Sequence, residues 1–218
     1  MANMCFSENM SLAFGVTGLL AGAYFYKKNI YASIGISYFA LMEILQFFQY
    51  KFIDKCDNPM NKFLTRLGYL HICFQPTFFN LWLFAFATKP VFSYIYLSIA
   101  AGLLMASRML FVKPGELCDG KNEPLCGKKT CTFSGERHLA WNLELRAPGK
   151  YWFTPSIGLH FFMFCIPALT LFQLKPLIAL LLTGPYLSIF LTSNIHEQPT
   201  IWCYTFIMQI IITSFLLK

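Results

Sequence analysis

The sequence predicts an all-α membrane protein: a seven-transmembrane helix bundle with a cysteine-rich capping loop between the fourth and fifth spans. Three observations predict it. The 218 residues are 56% hydrophobic, 18% aromatic and only 12% charged, with 24 Phe, whereas soluble domains carry roughly 25% charged residues. A mean hydropathy of +0.52 exceeds what one water-soluble core of this size would hide. Apolar windows recur along the whole chain, and the cysteines gather in the loops between them.

A bilayer core of roughly 30 Å needs about 20 apolar residues to cross it. The windows run over 11–26, 30–50, 63–87, 91–112, 152–172, 176–191 and 201–217. All of 1–218 then forms one membrane domain, with 113–151 as the cap. The third window holds Arg66 and the sixth is short, so six spans plus a re-entrant segment is the alternative count. The first span reads as retained: no Lys or Arg precedes it, whereas a signal peptide wants a basic stretch before its apolar core. Its Ser11, Gly15, Gly18 and Gly22 put small residues on one face, for close packing on the second span or for a dimer contact.

The net charge of +7 is not a nucleic-acid signature, because the Lys and Arg flank apolar runs and form no basic face. No nucleic-acid partner is expected; the partner is the lipid bilayer, and no oligomeric state follows. Lys27, Lys28, Lys89, Lys175 and Lys218 fall on one side, 5 of the 17 Lys and Arg, leaving 12 on the side of the long loop. That balance favours a cytosolic N-terminus, while the first span alone, with its Lys pair following it, points the other way.

The cysteines weigh on the same question. Cys5, Cys56, Cys118, Cys126 and Cys131 share the loop side. If that side is extracellular or lumenal, Cys56, Cys118, Cys126 and Cys131 are candidates for two disulfides stapling the 4–5 loop to the 2–3 loop. If it is cytosolic, they remain thiols, or Cys118, Cys126, Cys131 and His138 hold zinc, although their spacings lack tight Cys-x2-Cys knuckles. The cysteines favour an external or lumenal loop. Leu139, Trp141, Leu143 and Leu145 alternate with Ala140, Asn142, Glu144 and Arg146 as in a half-buried strand. Thr130–Phe133 would be the other arm of a β-hairpin, and Trp141, Tyr151 and Trp152 would anchor the cap at headgroup depth.

Ionisable groups inside spans are costly and mark function by default. Glu43 is the one carboxylate well inside a span, followed by Gln46; His71 is followed by Gln75, Arg108 ends the fourth span and His160 sits in the fifth. At about 1.5 Å per residue, Glu43, His71 and His160 lie roughly 10–12 Å below the loop-side surface, with Arg108 at about 6 Å. The expectation is one ligand pocket of Glu43, Gln46, His71, Gln75, Arg108 and His160, taking a small polar solute or lipid headgroup, with Glu43 as base or counter-ion. A metal-dependent hydrolase would use His71, His160 and His196 as zinc ligands and Glu43 as general base, but no His-x3-His pair sharpens that reading. Whether the protein is an enzyme is left open. A transporter hinged at Pro76, Pro167 and Pro185, or a structural membrane or envelope protein held by the same polar contacts, are the other readings.

Several stretches resemble an uncharacterised family of seven-span integral membrane proteins, a domain of unknown function. They are Cys5-Phe6-Ser7, Tyr38–Glu43 with Leu45-Gln46, Leu67–Asn80 (LGYLHICFQPTFFN), Gly135–Trp141 (GERHLAW), Thr183-Gly184-Pro185 and Trp202-Cys203. The resemblance implies a single-domain bundle and carries over no activity.

Overall fold

In the computed structural model the described residues are 7–216, apart from 111, 113, 122, 149–153 and 172. Cys5, Tyr151 and Trp152 lie outside them, as do the ends of the fifth and seventh expected windows.

The described residues are mostly helical, and short polar caps decide where helices begin. In α1 (Glu8–Tyr26) the Ser7 hydroxyl accepts from Met10 N, and Glu8 faces the positive end of the helix dipole. In α2 (Ile30–Tyr50) Asn29 Oδ1 accepts from Tyr31 N at 3.0 Å and Ala32 N at 3.1 Å. In α3 (Pro59–Leu83) Asn58 caps Met60 N and Pro59 takes the first turn, where its missing N–H costs nothing. That cap starts α3 four residues before the expected apolar window. Then come α4 (Ser93–Ala106), α5 (Ile157–Thr170), α6 (Leu174–Leu191) and α7 (Gln198–Leu216). Pro76 and Pro167 sit inside α3 and α5 without ending them, whereas α6 passes its proline through a π-turn over Leu182–Tyr186. By length and composition α2 and α6 are candidate membrane spans.

The small-residue face of α1 is spent inside the chain. A Cβ on Gly18 would stand 2.6 Å from the Ala40 methyl, and Ser33 Oγ donates to Gly22 O at 2.8 Å. The stripe therefore seats α1 on α2, the packing face of the two readings. One core cluster joins α2, α3, α5 and α7 through Phe39, Phe79, Trp82, Phe164 and Phe206. A second, containing Met42, Tyr69, Ile72 and Met105, continues into the cap through Leu125, Leu139, Trp141 and Leu143.

The cap is built on the expected hairpin, shifted by one residue. Strand β1 (Cys131–Ser134) pairs antiparallel with β2 (Leu139–Asn142), with Thr132 opposite Trp141. Bridges Leu117↔Arg146 and Cys126↔Leu143 fold the preceding segment against the chain after β2. Asn61 of α3 imitates a neighbouring strand: its Oδ1 accepts from Thr132 N at 3.0 Å and its Nδ2 donates to Thr132 O at 2.8 Å. The hairpin is thus hydrogen-bonded to the bundle through backbone as well as packed on it. Two disulfides close the cap, Cys56–Cys131 between the 2–3 and 4–5 loops and Cys118–Cys126 within the latter. Each contributes about 2–4 kcal/mol. The simple in–out alternation fails along β2, where Leu139, Ala140 and Trp141 are all fully buried because both faces of the strand are covered.

Candidate functional site

Trp141 is a plug in place of the expected headgroup anchor. It is 0% exposed, and its Nε1 donates to Gln49 Oε1 of α2 at 3.1 Å. Gly68 makes the room, since a Cβ there would stand 3.3 Å from the indole Cζ2.

Arg108 belongs to the cap. It is 2% exposed in a single 3₁₀ turn after α4 (Ser107–Met109), and its guanidinium grips both carboxylate oxygens of Glu123. Its Nε donates to Arg146 O at 2.8 Å, and Arg146 N donates back to Arg108 O at 2.9 Å. A bidentate, largely desolvated pair of this kind fixes geometry strongly. Arg108 is therefore corrected from pocket wall to the pin that holds the segment carrying Glu123, Pro124 and Leu125.

Gln46 is likewise committed. His138 Nε2 lies 2.7 Å from Gln46 Oε1, an oxygen that can only accept, so Nε2 carries the proton. Nδ1 then accepts from the Tyr50 hydroxyl at 2.5 Å. Burial pushes the His138 imidazole down to about 3, so the ring is neutral, as this bonding requires. The turn before it wraps a carboxylate. Glu197, 0% exposed, accepts from the backbone N–H groups of Glu136, Arg137 and His138 at 3.0, 2.6 and 2.5 Å, and from Thr192 Oγ1 at 2.7 Å. Gly135 permits the wrap, because a Cβ there would stand 2.6 Å from Glu197 Cδ. Three adjacent amides converging on one anion form a concave nest.

Behind this frame lies a cavity of about 120 Å³ between α3, α5, α6, α7 and the cap. Gln75, His160, Phe161, Ser188, Ile189 and Trp202 line it, with Pro124 and Leu125 of the cap also on its wall. Its polar groups are mostly engaged: Gln75 Nε2 donates to Cys203 Sγ at 3.1 Å, and Ser188 Oγ to Pro185 O at 2.9 Å. His160 differs. It is 2% exposed, and neither ring nitrogen has a hydrogen-bond partner among the described residues. Leu125 takes φ 70°, the left-handed region that a bulky side chain avoids. Its carbonyl is held there by Leu143 N at 2.7 Å.

The expected six-residue pocket thus divides. Gln75 and His160 share the cavity; Glu43, Gln46, His71 and Arg108 do not line it. Glu43 is 0% exposed, its carboxylate facing the buried Ser11 hydroxyl of α1 without a close hydrogen bond among the described residues, and lies within electrostatic reach of Cys203 and Tyr204 behind the cavity wall. His71 clamps α2 to α3: its Nε2 donates to Tyr38 O at 2.8 Å, the Tyr38 hydroxyl donates to His71 O at 2.7 Å, and the rings stack at 3.9 Å. His196 stands at the cap, its backbone oxygen accepting from Trp141 N, and burial lowers its imidazole.

The three histidines therefore occupy three places, and the zinc-hydrolase trio is not assembled. Among the described residues the one group of His, Cys, Asp or Glu close enough to share an ion is Cys118, Glu123 and Cys126. Two of its sulfurs are joined to each other and its carboxylate is held by Arg108, so it fits zinc poorly. The alternative set of Cys118, Cys126, Cys131 and His138 fails for the same reason, since all three sulfurs are in disulfides. Glu197 and His138 were missed as organisers of the site. Their signal was Ser134-Gly135 before a charged turn, with a Glu just ahead of the last helix.

No curated protein and no solved structure matches the chain significantly. Residues 9–217 match a family of unknown function, DUF5765, consistent with the uncharacterised family expected from its motifs, and the chain belongs to that family.

Proposed function

We propose that this is a seven-span integral membrane protein that binds a small ligand in the cavity beneath its cap, with the cap on the extracellular or lumenal side. The multi-pass reading is supported by the outward faces of the helices, where Leu20, Tyr96, Leu97, Leu103, Leu182 and Phe190 are exposed, Phe190 to 85%. Large apolar residues displayed so freely suit lipid better than water. Disulfides in the cap suit an oxidising compartment.

The binding reading rests on His160. A buried polar group without a hydrogen bond costs about 1–3 kcal/mol, and His160 leaves two ring nitrogens in that condition on a cavity wall. A ligand able to bond the imidazole would recover part of that cost. Glu43 is kept out of the contact set and assigned to the layer behind it.

The test is ligand retention. Protein extracted in mild detergent should carry a stoichiometric small molecule, found by organic extraction and mass spectrometry, that His160→Phe loses while keeping its disulfides and helical content. Equal retention by wild type and variant would overturn the reading.

A further inference from the structure

The chemistry of the cavity wall narrows what it can take. Among the described residues, none that lines it is Lys, Arg, Asp or Glu. A charged carboxylate, phosphate or ammonium would be stripped of water there with no opposite charge to meet it, at a cost of several kcal/mol. A neutral imidazole offers one N–H donor and one lone pair. The complementary ligand is neutral and meets one of these ring nitrogens with a group that can either donate or accept, as an aliphatic hydroxyl does. Around that anchor the wall is apolar, with Ile72, Leu125, Ile157 and Ile189, and Phe161 stacked on Trp202 at 5.2 Å between ring centroids.

Size and surroundings indicate where such a ligand comes from. An apolar cavity of about 150 Å³ holds a benzene-sized molecule, so about 120 Å³ accommodates the hydroxyl end of an amphiphile and not its whole chain. The cap side is braced by the Arg108–Glu123 pair, the Cys118–Cys126 disulfide and the Leu125 carbonyl bond. On the opposite flank the wall reaches the apolar exterior between α5 and α6, where Ile157 and Phe161 are half-buried and Ile189 is 60% exposed. The exterior element is α6, little buried and interrupted by the π-turn, whose Pro185 and the following Ser188 and Ile189 form the wall. π-turns loosen the regular ladder and are frequent at functional sites. The turn is steadied by Thr205 Oγ1, which donates to Thr183 O at 2.6 Å.

We infer that the cavity takes the hydroxyl end of a neutral single-chain amphiphile from the bilayer, admitted laterally between α5 and α6, with His160 as the hydroxyl's partner and the chain trailing into lipid. The inference rests on the proposed binding role of His160 and adds the ligand's class and route.

The experiment uses the full chain in liposomes with a photoactivatable decanol whose diazirine sits beside the hydroxyl. Adducts located by mass spectrometry should concentrate on 157–161 and 185–189 and be competed by decanol, but not by decanoate or decyltrimethylammonium. His160→Phe should reduce them about tenfold, the equivalent of one lost hydrogen bond. Adducts spread evenly over lipid-facing Leu20, Leu97 and Leu103 and indifferent to decanol would overturn the inference. The source is separated by a water-soluble diol, tested by its effect on thermal stability in wild type and His160→Phe. Stabilisation of wild type by butanediol with no decanol-competed adducts would overturn lateral loading and leave His160 as a binding residue. Failure of both ligands would overturn both readings.

Discussion

His138 Nε2 donates to Gln46 Oε1 at 2.7 Å, and this bond joins a loop residue to a helix residue 92 positions earlier in the chain. With the Tyr50 hydroxyl on its other nitrogen, the imidazole is a latch between cap and bundle that functions only when neutral.

The latch makes stability pH-dependent. The folded His138 sits near 3, below its ordinary 6.5, so between these values the unfolded chain binds a proton that the folded chain does not. Stability is therefore full above about pH 6.5 and falls as pH drops, by up to about 1.4 kcal/mol per unit. Thermal unfolding in mild detergent at pH 7.5 and pH 5 should show a drop in Tm that is smaller in His138→Gln. An equal drop in both would remove His138 as its source.

The Arg108–Glu123 pair predicts a non-additive cycle. Arg108→Met leaves the Glu123 carboxylate against the cap without its partner and should cost about 3–5 kcal/mol. Adding Glu123→Gln should return part of that loss, measured by thermal unfolding of the two single variants and the double. Simple additivity would mean that the pair is not coupled.

Glu43→Gln is expected to leave stability within about 1 kcal/mol of wild type or raise it, because the Gln amide can meet the neighbouring Ser11 hydroxyl as the carboxylate does and buries no charge. A marked fall in Tm would show that Glu43 is structural glue between α1, α2 and α7.

Two single-cysteine labels test the membrane path. Lys128 lies in the cap and Lys89 between α3 and α4, so on the proposed seven-span path one crossing, at α4, separates the lysine at 89 from the cap. In intact cells or sealed vesicles Lys128→Cys and Lys89→Cys should react with an impermeant maleimide from opposite faces. Labelling of both from one face contradicts the seven-span path.

Much of the fold was legible because its signals are local. Asn29 and Tyr50 bracket an apolar run that became α2 with the expected bounds, and the hairpin followed from alternating Leu and Trp around a glycine turn. The direction in which each site residue points was not legible. A fixed rise per residue gives Glu43, His71 and His160 similar expected depths, yet the side each one faces depends on which helices pack beside it. His71 therefore went to the α2–α3 seam and His160 to the cavity. Trp141 and Arg108 were misjudged for a related reason. Trp141 was expected at the interface and Arg108 in the pocket, but Gly68 opens a slot for the indole and Glu123, 15 residues on, captures the guanidinium.

The most direct test of the central claim is nitrogen-15 NMR of the four histidine side chains in protein before and after delipidation. The account predicts that delipidation moves the ring signals of His160 and leaves those of His71, His138 and His196 in place, and that adding decanol restores them. His160 signals identical in both preparations and unmoved by decanol would contradict it.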